Sequence, residues 1–72
     1  MHKNAEYVID RYFKLMRAMG YQTIKGYCGE TKAPINTLFC WKHKKRDPKL
    51  SNFCEELERL GWELTIRRKQ DV

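Results

Sequence analysis

Apolar side chains recur at steps of three and four through Ala5, Val8, Ile9, Tyr12, Phe13, Leu15, Met16 and Met19, while Glu6, Asp10, Lys14 and Arg17 fill the opposite positions. That period predicts an amphipathic helix over 5–19, with Asn4 as its cap, an Asp10–Lys14 pair on its outer face and Gly20 at its end. From Tyr21 to Cys28 the pattern changes to β-branched and aromatic residues with a mid-segment glycine, which reads as a strand. Gly29 to Pro34 has the chemistry of a loop, and Ile35 to Trp41 is the most apolar stretch, read as a central strand paired with the first in a hairpin. Asp47-Pro48 then predicts a helix start, followed by helical spacing at Leu50, Phe53, Cys54, Leu57 and Leu60, with Gly61 closing it. Its outer face is Glu55, Glu56, Glu58 and Arg59, with Glu55 and Arg59 spaced to pair. Trp62 to Arg68 alternates apolar and polar residues, as a half-buried strand does. The expected fold is a small two-layer α+β domain in the order helix-strand-strand-helix-strand.

Composition narrows this picture without changing it. Seventy-two residues make one domain, with 42% hydrophobic and 33% charged residues and no low-complexity tract. No apolar run approaches the ~18 residues of a membrane span, and no secretory signal opens the chain, so the expected setting is soluble and cytoplasmic. Cys28, Cys40 and Cys54 are odd in number and widely spaced, which fits reduced, packed thiols. Cys40 and His43 have the spacing of two zinc ligands, but a structural site wants four, and no metal or other cofactor is expected. There is no nucleophile motif, phosphate loop or paired metal-binding acid, and an enzyme is the least favoured class.

Charge adds a direction. Fifteen Lys and Arg against nine Asp and Glu give +6 and a pI near 9.4, which favours polyanions or acidic protein surfaces as partners. In the α+β reading a right-handed crossover runs the central and last strands parallel and brings their C-terminal ends to one edge. Lys42, Lys44, Lys45 and Arg46 would meet Arg67, Arg68 and Lys69 there, with Lys49 beside them and Trp41 and His43 placed to stack on a base. The expected function is non-enzymatic binding of nucleic acid, DNA or RNA, through this edge. Apolar residues on the uncovered side of the hairpin point to a homodimer. A small inhibitor, of the kind mobile elements encode against host defence, is the alternative of a different class.

A second fold reading comes from a resemblance. Ile24, Cys28, Gly29, Thr31, Ile35 and Leu38 resemble the apolar spacing, turn glycine, helix cap and recognition-helix core of the lambda-repressor and Cro-type helix-turn-helix family. Pro48, Leu50, Phe53, Leu57, Leu60, Gly61, Trp62 and Leu64 resemble its closing helix and tail. The resemblance implies a mainly α fold with a C-terminal strand. It also implies an operator-binding regulator in which Lys32, Ala33, Asn36 and Thr37 approach the major groove, Asn36 reads adenine, and basic residues from Lys42 onward meet phosphates. The chain departs from the pattern at Lys25 and Gly26 in the first helix of the motif and at Phe39 and Cys40 in the second, and local propensity over 21–41 sets the α+β reading ahead of it.

Overall fold

The computed structural model describes residues 2–65 and is built from four helices: α1 (Lys3–Ala18), α2 (Ile24–Thr31), α3 (Ile35–Lys42) and α4 (Leu50–Arg59). The first helix follows its apolar period, with Ile9, Tyr12, Phe13 and Met16 buried along one face. Its cap is His2, whose Nδ1 accepts the Asn4 N–H at 3.1 Å, so Asn4 lies inside the helix and is not its cap. Gly20 ends the turn at φ +101°, a conformation that other residues rarely adopt. Asp10 and Lys14 make no ion pair; Glu6 on this helix pairs instead with Lys44, at 3.6 Å.

The largest correction concerns residues 21–41. Both expected strands are helices, the hairpin is absent, and no strand forms among the described residues. The α+β fold is therefore replaced by an all-helical one. The reason lies in which residues are buried. Ile24, Tyr27 and Cys28 face inward from α2, and Leu38 and Trp41 from α3. These are helical intervals of three and four, and an alternating strand would have placed Leu38 and Trp41 on opposite faces. Local stop and start signals agree with the helices. Thr23 Oγ1 accepts the Gly26 N–H at 3.0 Å and caps α2. A Cβ on Gly26 would lie 3.0 Å from that hydroxyl, so the glycine that argued against a helix here leaves the helix cap unobstructed. Pro34 sits in extended conformation at the cap of α3.

Asp47-Pro48 also acts differently from its sequence reading. The N-cap of α4 is Lys49, with no side-chain cap bond, while Asp47 Oδ1 accepts the backbone N–H of His2 and ties the loop before α4 to the start of α1. The closing segment 62–65 is not a strand, and the remainder of that expected strand lies outside the described residues. The hairpin face that pointed to a dimer disappears with the sheet.

One side chain joins all four helices. Tyr12 of α1 is 1% exposed, and its ring meets Trp41 of α3 edge-on at 5.8 Å and Phe53 of α4 at 6.0 Å. Its hydroxyl lies 3.4 Å from that of Tyr27 in α2. A second link runs along the flank. Glu56, expected on the solvated face of α4, is buried and accepts the Arg59 Nε–H at 2.9 Å, and Arg59 Nη1 donates to the Thr31 carbonyl at the end of α2 at 3.2 Å. Arg59 thus pairs with Glu56 and not with Glu55.

Burial, followed by the Tyr27 hydrogen bond and nearby negative charge, drives the Tyr12 phenol far above its ordinary value of 10.0. Burial also pushes the Cys28 thiol upward from 9.0. Above those ordinary values the unfolded chain releases protons that the folded chain keeps. Stability is therefore fully present below about pH 9 and is lost as pH rises through 10, with a slope approaching about 1.4 kcal/mol per pH unit from Tyr12. Urea midpoints measured across this range should fall, and Tyr12→Phe, which keeps the ring, should show a clearly shallower fall.

Candidate nucleic-acid interface

The three residues Lys32 to Pro34 join α2 to α3, and the two short helices lie against each other as a helix-turn-helix. Lys32 makes the turn with φ 63° in the left-handed region, and its N–H bonds to the Cys28 carbonyl. The turn is displaced by three residues from the one the family resemblance implies. Gly29 is inside α2, Thr31 is that helix's last residue rather than the cap of the next, and Ala33 is buried at 7% exposure. Lys32 and Ala33 therefore stand off the second helix. Asn36 remains on its exposed surface, and Thr37 is half-buried.

Leu38 and Trp41 fix which side of α3 faces the core. At 100° per residue the opposite side carries Asn36, Phe39, Cys40 and His43. The Phe39 and His43 rings stack at 6.2 Å with 17° between their planes. On one flank of this strip lies a groove of about 460 Å³, bordered by Lys14 and Arg17 of α1, Lys25 of α2 and Lys42 of α3, with Asp10 its one carboxylate. The start of α2 lines the same groove, so the positive end of that helix adds to its field. On the other flank a groove of about 290 Å³ is bordered by Arg46 and Lys49, with Asp47, and by Asn36, Thr37 and Cys40 of α3. None of the α4 glutamates Glu55, Glu56 and Glu58 borders either groove.

The residues expected along one strand edge are redistributed by this arrangement. Trp41 is 2% exposed and packs against Tyr12 and Phe53, so it belongs to the core and offers no stacking platform. Lys42 lines the larger groove, whereas Arg46 and Lys49 line the smaller. His43 ends α3 and is exposed. Lys44, at φ 56°, carries the exposed pair with Glu6, of a kind worth under about 1 kcal/mol. Lys45 is exposed, and its N–H bonds to the Cys40 carbonyl. Arg67, Arg68 and Lys69 lie outside the described residues, and the edge they were to share with Lys42 to Arg46 does not form, because residues 35–42 are a helix. Lys14, Arg17 and Lys25 were missed as site residues. Lys14 and Arg17 sit three apart on the polar side of α1, a spacing visible in the sequence but there assigned to solvent.

Among the described residues no three His, Cys, Asp or Glu side chains gather as a metal ion would require, and no helix is long and apolar enough to cross a membrane. The chain matches no protein-family model, no curated protein and no solved structure.

A left-handed conformation costs a non-glycine residue roughly 1–2 kcal/mol. Lys32→Gly should therefore raise stability by about 0.5–1 kcal/mol, part of the relief being offset by the greater freedom of the unfolded chain. A higher urea midpoint at unchanged m-value is the expected result.

Proposed function

We propose that the protein binds duplex DNA without catalysis, as a regulator, by laying α3 in the major groove. A helix with its side chains is about 10–12 Å across and the groove about 12 Å wide, so a seated helix meets a phosphate strand on either side. The observation that carries the reading is the matching layout of charge: a strip of uncharged and aromatic side chains with cations along both flanks, Lys14, Arg17, Lys25 and Lys42 on one and Arg46 and Lys49 on the other. A single-strand binder needs only one cationic track beside an aromatic platform. Of the two residues expected to stack on a base, Trp41 is buried while His43 is exposed and stacks with Phe39, so it is the second cationic flank that favours the duplex. Such a protein works in the reducing cytoplasm, in keeping with free thiols at Cys28, Cys40 and Cys54.

Phosphate contact releases counterions, so affinity for a duplex should fall steeply with salt, with a log-log slope of about −5 if all six flanking cations engage. Fluorescence anisotropy with matched duplex and single-stranded DNA measures this. Alanine at Lys14, Arg17, Lys25, Lys42, Arg46 or Lys49 should each shallow the duplex slope by about one. Lys32→Gly, off both grooves, should leave it unchanged. Equal affinity for the single strand, or a slope indifferent to these substitutions, would sink the proposal.

A further inference from the structure

We propose that the outer face of α3 selects a step rich in A·T pairs, with the Phe39 ring against the 5-methyl group of thymine and the Asn36 amide on adenine. This rests on the duplex-binding reading above and adds which bases are read. The chemistry of the strip is narrow. From Pro34 to Trp41 there is no Arg, Lys, Asp or Glu. Guanine is commonly read in the major groove by Arg or Lys at O6 and N7, and cytosine by a carboxylate accepting from N4, so the first two turns of α3 lack these readers. Lys42 borders the larger groove, as Phe39 does, but at 100° per residue it lies nearer the core-facing side of α3 than Phe39.

The groups that are present fit the other base pair. Asn36 is exposed in the first turn, and an Asn amide donates to N7 and accepts from N6 of adenine as a bidentate pair. Phe39 leaves 37% of its surface in water although it is apolar, and its ring lies nearly parallel to that of His43. In the major groove the thymine methyl is the apolar group that base edges present, and burying it against Phe39 would remove both from water. Asn36 and Phe39 are three residues apart, an axial rise of about 4.5 Å, close to the ~3.4 Å between adjacent base pairs. Neighbouring pairs in one site are therefore within reach of the two side chains.

The test begins with selection from a pool of randomised duplexes by the full chain, followed by replacement of each thymine in the selected site with deoxyuridine, which deletes only the methyl group. An A·T step should emerge, and deoxyuridine at one position should weaken wild-type binding about fourfold. Phe39→Ala should bind more weakly and lose that sensitivity, whereas Phe39→Leu should keep part of it. Asn36→Ala should relax the preference for adenine at the neighbouring position by roughly tenfold or more. Circular dichroism and melting of each variant confirm that the helices persist. A selected site centred on G·C, no consensus, or deoxyuridine without effect would overturn base selection while leaving duplex binding in place. Failure of the folded wild-type chain to retain any duplex at low salt would overturn both.

Discussion

The aromatic contact of Tyr12 with Trp41 and Phe53 is the constraint on which the other elements depend. A chain of this size has a thin core, and α2 and α3 are eight residues each, too short to hold a helical conformation by backbone bonding alone. They persist because Tyr27, Leu38 and Trp41 are fully or nearly fully buried in a cluster centred on α1. Tyr12 supplies an apolar ring to two neighbouring helices and a polar tip to a third, so one residue sets three relative positions at once. The phenol also settles how polarity enters the core. Its hydroxyl is satisfied by another tyrosine, and no buried side-chain nitrogen or oxygen among the described residues lacks a partner.

The Glu56–Arg59 pair performs the same task at the edge. A buried carboxylate is expensive unless a cation meets it, and Arg59 both meets it and reaches across to the last carbonyl of α2. The guanidinium thereby holds α4 to the end of the helix immediately before the turn. With the loop tied to α1 through Asp47 and His2, the strip on α3 and its two cationic flanks are held by packing and hydrogen bonds from several directions.

Much of the outer frame could be read from the amino acids. The long period in α1, the helical spacing from Leu50 to Leu60 and the glycine stops at 20 and 61 were plain, because those segments are long enough for amphipathicity to repeat. The middle was misread for an equally physical reason. In two turns a helical stripe contains only two or three buried positions, and Ile24, Tyr27 and Trp41 at those positions carry strand propensity that the tertiary cluster overrides. The spacing of Ile24, Tyr27 and Cys28 and the Thr23 cap were the available clues. The resemblance to a helix-turn-helix family implied helices in the middle of the chain, as found, but also a C-terminal strand that 62–65 does not form, and it placed the turn at the glycine. The chain instead makes its left-handed turn at Lys32, a residue not favoured there. For the candidate interface, the basic run after Trp41 was legible, but its division between two flanks depends on α3 being a helix. Lys14, Arg17 and Lys25 join it only through packing.

The two sides of α3 answer to different demands. Leu38 and Trp41 are locked into the core, whereas Asn36, Phe39, Cys40 and His43 stand on the other side of a two-turn rod whose place is set from behind. Replacements on the outer side leave the residues that hold the rod untouched. Single replacements at Asn36 or Phe39 thus change the outer surface of one eight-residue helix without touching the residues that fold it, so surface chemistry and stability can be altered independently within that segment.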